Sequence, residues 1–450
     1  MCENFTAISD RPAERGIRMK RKCIFWYILL CIMVVLTGCE GAVQQAQETE
    51  PAQKEIVIWT WDETFNVKAA KLAAEAYMDS NDSVNIIVET KEREEILSDT
   101  KNILSAKAYE KLPDIIMLED YDVQDVLSLY QDEFVDLTDL VDYGKFADYK
   151  TSLCSRNGHS YGIPFDSGAA ALFYRIDILE QAGFEESDLK QLTWDEFIEI
   201  GEQVYQQTGV SMLTLDPSDF PVLRLIMQSS GSWYVDREGN KADIAENEAL
   251  RQGLDIYKRL LDTNAAKSVN GWNEFISAFQ NGEVACVPSG SWIISNIKEV
   301  KEQSGLWRVA PIPVVAGDQN AVSASNVGGS SWYIMKNSSG SSEATSFLLE
   351  MFADNDAFMD QLITQIGVIP AVKDPEVYTN YEVGDEFFGG QKVTKFLTGL
   401  AGEIPVVNYG SKTYDIENIV EAEFQNVLTN GEIDLALERA QMKADALVRE

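Results

Sequence analysis

Histidine is all but missing from this chain of 450 residues: His159, between Gly158 and Ser160, is the only one. That turn-like setting suits a solvated ring, and the shortage removes most of the material for histidine-rich metal sites and for Ser-His or Cys-His catalysis. Cysteine is scarce as well, with six in all. Once the N-terminal segment is set aside, only Cys154 and Cys286 accompany Cys39, so no disulfide framework stabilises the body and two separate buried thiols are expected. There is no Gly-x-Gly-x-x-Gly, no phosphate loop and no complete calcium loop, since Asp354 and Asp356 lack the glycine and glutamate such a loop needs. Neither a metal nor a cofactor is called for. Positive charge is short too: 37 Lys+Arg stand against 73 Asp+Glu. Such a surface repels nucleic acid, which excludes nucleic-acid binding, and its even spread along the chain serves solubility.

Long apolar runs are confined to one place. Cys23 through Leu36 is continuously apolar, preceded by Arg18 and Lys20-Arg21-Lys22 and followed by Thr37-Gly38-Cys39. A basic start, a short apolar middle and a small-residue exit describe a secretory signal, too short for a comfortable membrane span. An uncleaved membrane anchor is the other reading, but small residues followed by cysteine have no use at the end of a bare anchor. Leu36-Thr37-Gly38-Cys39 resembles the bacterial lipobox, which implies that residues 1–38 are removed and that Cys39 carries lipid. Several acyl chains there would give lasting attachment. Met19, directly before the basic cluster, is a better start than Met1. Residues 39–54 are nearly devoid of apolar side chains and are expected to be a flexible tether. The expected location is the outer face of the cell membrane.

The remaining four hundred or so residues suit two lobes better than one core. Ile56-Val57-Ile58-Trp59, Val84 to Val88 and Pro113 to Leu118 predict strands. Helical spacing over Asn66–Met78, Glu94–Ala108 and Val123–Tyr130 separates and follows them. That alternation implies parallel βαβ units, whose ligands sit beyond the carboxyl ends of the strands. Further along, Ala171–Tyr174 predicts a strand and Asp177–Ala182 a helix stopped by Gly183. Thr193 and Glu196 form a capping-box pattern, with Trp194 stapling the helix to the core. Asn247–Asp262 and Trp272–Asn281 predict helices, and Val284–Val287 a strand, with Pro288 to Trp292 opening a helix through Ile297. Trp307–Ala310 and Ser331–Met335 predict strands, and Glu417–Leu447 helix with a break at Gly431.

Several of these stretches, taken in order, resemble the extracellular solute-binding proteins that feed carbohydrate ABC importers, the maltose-binding-protein type. The most recognisable block is Phe279-Gln280-Asn281-Gly282-Glu283-Val284-Ala285 followed by Gly290-Ser291-Trp292-Ile293-Ile294-Ser295-Asn296-Ile297. Pro113 to Ile116, Tyr161 to Pro164, Leu172 to Arg175, Thr193 to Phe197, Gly328-Gly329 before Trp332, and Ile369-Pro370-Ala371 match others. The resemblance implies a periplasmic-binding-protein-like α/β fold with two discontinuous lobes, a hinge and an interlobe cleft. The lobes are expected at 55–165 with 307–369 and at 166–306 with 370–450, crossing near Phe165, Ala310-Pro311 and Pro370. It also implies a monomer that captures a sugar and delivers it to permease subunits without breaking a bond, and the number of tryptophans points to an oligosaccharide.

A sugar offers apolar C–H faces and a rim of hydroxyls, which aromatic rings and carboxylates match. Trp292, at a helix start after a strand, corresponds to the family's stacking tryptophan. Trp59 and Trp61 flank a strand exit, with at least one expected in the cleft. Asp62, Glu63 and Asp166 stand where the family holds hydroxyls with carboxylates. Glu119, Asp120 and Tyr121 fill the loop after the third strand. Trp233, Trp272, Gly329 and Trp332 complete the expected ligand surface. Two alternatives stay open: the same fold holding a polyamine or peptide between its acids, and a surface glycoside hydrolase using a carboxylate pair.

Overall fold

The computed structural model describes residues 53–429 and 431–448, so the signal segment, the proposed lipidation site and most of the tether lie outside the described residues. The chain opens with β1 (Lys54–Thr60), α1 (Asn66–Met78), β2 (Val84–Thr90), α2 (Arg93–Ala106), β3 (Ile115–Glu119) and α3 (Val123–Tyr130). β1 pairs in parallel with β2 along its whole length, from Lys54 opposite Val84 to Thr60 opposite Thr90, and in parallel with β3. Ile56 and Ile58 bury one face of β1 and Trp59, with a half-buried Val57, the other, as a central parallel strand requires. Small residues let α1 dock closely: Ala69, Ala70, Ala73 and Ala74 are all buried beneath it.

The chain continues through α4 (Asp148–Leu153), β4 (Gly162–Asp166), β5 (Ala170–Arg175), α5 (Trp194–Thr208) and α6 (Pro221–Ser229). It then runs through α7 (Gly271–Gln280), β6 (Cys286–Gly290), α8 (Ile293–Ile297), β7 (Trp307–Ala310) and β8 (Ser330–Ile334), and ends in α9 (Thr413–Thr429) and α10 (Ile433–Val448). Two larger sheets result. The five-stranded one has the order β2-β1-β3-β8-β4, with β8 antiparallel to both neighbours, and the three-stranded one has the order β6-β5-β7, antiparallel throughout. Each carries its own core. Ile56, Ile58, Trp332 and Phe352 belong to one face of the five-stranded sheet, Ile116, Leu118 and Tyr333 to the other. Phe173, Trp194, Tyr257 and Phe424 are among those of the second lobe.

The capping box at Thr193 forms: its hydroxyl accepts from the Glu196 N–H at 3.2 Å, and Glu196 Oε2 accepts from the Thr193 N–H at 2.8 Å. Trp194 is fully buried behind it. One boundary differs from the sequence reading. Pro288, Ser289 and Gly290 continue β6, opposite Leu172, Ala171 and Ala170, instead of opening a helix. Proline is tolerated there because β6 is an edge strand with no ladder partner on its outer side. Cys154 and Cys286 are separate, buried and reduced. His159 is exposed and meets Asp136 at 2.6 Å. Among the described residues no helix is long and apolar enough to cross a membrane.

Candidate functional site

The loops that leave the carboxyl ends of β1, β2 and β3 converge on a cavity of about 770 Å³, where ligands of open α/β sheets bind. From the first lobe come Trp61 to Asn66, Thr90 to Glu94, Glu119, Tyr121 and Asp166, with Val327 to Ser330 leading into β8. From the second come Asp219, Pro221, Arg224, Trp272, Trp292, Asn296 and Tyr414.

The turn after β1 is shaped by Asp62, a non-glycine residue at φ 61°. Its Oδ1 accepts from the Thr64 N–H at 2.9 Å and from the Thr64 hydroxyl at 2.7 Å, which offsets the left-handed backbone. Glu63 accepts from the Thr90 hydroxyl at 2.6 Å and from Lys71 at 3.2 Å, and these bonds hold its carboxyl below the usual range. On the opposite lobe Trp292 follows β6 directly. Its indole N–H donates to the Val327 carbonyl at 2.9 Å. A Cβ on Gly290 would stand 2.5 Å from that indole nitrogen, so glycine is what lets the ring lie flat beside the strand end. Trp272 lies 5.6 Å from Trp292, tilted by 34°, and is 54% exposed. The two indoles form one apolar wall.

The rest of the lining is polar and largely paired. Asp166 Oδ1 accepts from the Ser330 N–H at 2.7 Å and its hydroxyl at 2.6 Å. Glu119 accepts from Arg93 at 2.9 Å and from the Tyr414 hydroxyl at 2.8 Å, a contact that joins the two lobes. Arg93 also bonds Asp122 at 2.5 Å and lies 5.2 Å over the Tyr414 ring. Arg224 bonds Glu417 and, at 3.0 Å, Asp219.

Four expected ligand contacts lie elsewhere. Trp59 is buried behind the rim, its N–H donating to Glu89 at 2.8 Å under the Lys91 ammonium. Asp120 stands in the turn that follows β3 and is not on the lining, whereas its neighbours Glu119 and Tyr121 are. The Asp120 carboxylate is fully buried and accepts from Lys150 at 2.6 Å. Burial raises its pKa, and the Lys150 ammonium opposes that rise. Gly329 lies on the lining above this pair, where a Cβ would come 2.7 Å from Asp120 Oδ2. Trp233 is buried, stacked 5.4 Å from Tyr121 and donating to Thr413 at 3.0 Å, so it braces the cavity wall from behind. Trp332 is fully buried between Phe165 and Phe352, at 5.6 and 5.2 Å, because β8 is an interior strand covered on both faces.

Arg93, Arg224, Tyr414 and Asn66 line the cavity without having been singled out in the sequence. The rule that pointed to the loops after β1 and β3 also applies to the loop after β2, and would have found Arg93. Arg224 and Tyr414 reach the site from helix starts far along the chain and carry no local signal.

Residues 72–381 match the family described as bacterial extracellular solute-binding protein. The chain is 36% identical over 390 residues to the lactose-binding protein of Rhizobium radiobacter, covering 87% of this chain and 92% of that one. The chain belongs to the bacterial extracellular solute-binding proteins. It is also 25% identical over 343 residues to the arabinooligosaccharide-binding protein of Bacillus subtilis, covering 73% and 76% of the two. Among solved structures, the GacH receptor of Streptomyces glaucescens superposes with a TM-score of 0.71 at 20% identity, covering 88% of this chain and 99% of that one. The ABC-transporter-associated binding protein of B. animalis subsp. lactis, solved with β-1,6-galactobiose, gives the same score and identity over 88% and 98%. These likenesses show the fold: two α/β lobes of the maltose-binding-protein type.

Proposed function

We propose that this solute-binding protein captures a neutral sugar of two or a few rings between its lobes and presents it, chemically unchanged, to the permease of an ABC importer. The observation that carries this is the wall of paired indoles, Trp292 and Trp272, set across the cavity from Trp61 and a rim of carboxylates and hydroxyls. Flat rings suit C–H faces, and the side chains between them suit hydroxyls. A cavity of about 770 Å³ falls within the range of about 300–1,000 Å³ typical of small-molecule sites. The sugar ligands in the names of the relatives support the same reading.

The acids do not favour a cation. Glu119 and Asp219 are neutralised by Arg93 and Arg224, and Glu63 by Lys71. Asp62 and Asp166 have no cationic partner and are held instead by the N–H and hydroxyl groups of Thr64 and Ser330, so most of the lining acids already accept from a donor of the protein. Nor does any carboxylate pair stand apart as a glycosidase pair would, and no catalysis is assigned.

Ligand bridging both lobes favours the closed form, the state that would dock on a permease. We place the lobe crossings at 167–169, between Ala310 and Ser330, and, later than the expected Pro370, between Tyr381 and Phe387, since Val372, Tyr378 and Tyr381 pack in the core of the first lobe and Phe387 in that of the second. β7 pairs within the second lobe's sheet, which moves the middle boundary past Ala310. We further propose that Cys39 carries lipid and holds a monomeric receptor on the outer face of the membrane, on the strength of residues 36–39 and the apolar run before them. A C39S variant should then appear in the medium.

The deciding experiment is thermal unfolding against lactose, galactobiose, arabino-oligosaccharides, maltodextrins, spermidine and short peptides. A true ligand at a hundred times its Kd stabilises by about 2.7 kcal/mol. Stabilisation by spermidine alone, or release of monosaccharide from any of the sugars, would overturn the reading.

A further inference from the structure

The first turn of α1 holds a polar group that the fold itself does not use. Asn66 is only 5% exposed and lines the cavity. Its Oδ1 is buried and has no hydrogen-bond partner among the described residues. The neighbouring turn explains why. Asp62 is the residue placed to cap this helix, but its carboxylate is engaged by Thr64 and its carbonyl by the N–H groups of Phe65 and Val67, at 3.3 and 3.0 Å. Phe65, in the N-cap position, supplies no side-chain cap. The start of α1 therefore presents the cavity with two unspent features at once, a buried amide and a helix N-terminus without a side-chain cap. Buried polar atoms are rarely left unpaired, and each one calls for an explanation.

We propose that Asn66 is a specificity-determining contact, exchanging hydrogen bonds with one hydroxyl of the captured sugar. This rests on the sugar reading above. A carboxamide carries donors and an acceptor side by side, as a hydroxyl both donates and accepts, so the two satisfy each other. An ammonium would meet only the oxygen and leave the amide NH₂ facing a cation. A site that buries such a group for a hydroxyl rejects the analogue lacking it, because the amide then stays unpaired.

The test compares wild type with Asn66→Leu and Asn66→Asp by calorimetric titration with lactose, arabinobiose and maltose, using whichever the wild type binds, alongside melting without ligand. N66L is apolar and nearly isosteric. It should weaken binding about three- to tenfold, the value of one neutral hydrogen bond, while the ligand-free melting temperature holds or rises, since an unpaired buried amide has been removed. Within a set of monodeoxy congeners, one should bind wild type and N66L alike. Affinity of N66L within twofold of wild type overturns the inference. So does a fall in ligand-free melting temperature in both variants, which would mark a structural residue, and so does the lack of any such congener. A wild-type chain that binds none of these three nor any other sugar of the unfolding panel removes the sugar reading and this inference with it.

Discussion

Replacing Arg224 with methionine tests how the wall of the cavity is held. The guanidinium, in the first turn of α6, bonds Glu417 on α9 and lies 5.5 and 5.7 Å over the rings of Tyr121 and Tyr414. The two charged side chains are 8% and 7% exposed, and the second Glu417 oxygen accepts from Tyr234 at 2.8 Å. Methionine keeps much of the stem volume and removes the charge. Glu417 is then a buried carboxylate with one hydroxyl for support. Burial already pushes its pKa up, and Arg224 is the main force pulling it back. Without that force the carboxyl folds protonated. Protonating a glutamate of ordinary pKa, about 4.3, at about pH 7 costs about 1.4 kcal/mol per pH unit, or about 3.7 kcal/mol. That falls within the roughly 3–5 kcal/mol expected for breaking a buried pair. At about pH 5.5 the same step costs only about 1.6 kcal/mol. The sign follows from a folded-state pKa above the unfolded one: the folded variant binds the extra proton, so its stability rises as pH falls from neutrality toward the ordinary glutamate value. Urea unfolding of the ligand-free chain at both pH values reads this directly. R224M should lose most of its stability deficit on acidification, and R224M/E417Q should recover much of it at neutral pH. A deficit independent of pH, or a double variant as weak as the single one, refutes the reasoning.

Trp292→Ala should raise the sugar Kd about ten- to a hundredfold by calorimetry, from the loss of about 1.5–3 kcal/mol of buried aromatic contact. Trp332→Phe, deep in the core, should leave it within about twofold. Tyr414→Phe removes the hydroxyl that reaches the Glu119 carboxylate across the cleft, and should cost about 1.5–3 kcal/mol of closure, the value of a hydrogen bond to a charged group. A larger radius of gyration by X-ray scattering checks it, and an unchanged one counts against the contact. Burial pushes the thiols of both Cys154 and Cys286 upward. Neither should react with a thiol reagent until the chain unfolds.

Physical reasons separate what could be read along the chain from what could not. The strand-helix alternation of the first lobe was legible because β1 and β3 are short, β-branched and bounded by turn residues, and the rule about strand ends then pointed to Trp61 and Glu119. Asp120 misleads because it stands in the turn after β3, one residue past a rim carboxylate, and is buried against Lys150. Trp332 and Trp233 mislead for a different reason. Each follows glycine, as a ligand platform would, but one sits on a strand covered on both faces and the other folds under Tyr121 and Tyr409. Whether a sheet is covered twice depends on elements more than a hundred residues away, and no local pattern reports it. Tyr414 meets Glu119 across 295 positions. Asn66 is the instructive case, since asparagine at a helix start reads as an ordinary cap and draws no attention in a sequence. Only the structure shows that nothing among the described residues donates to its Oδ1, and local rules broken without an internal benefit mark the places where a protein is built for something outside itself.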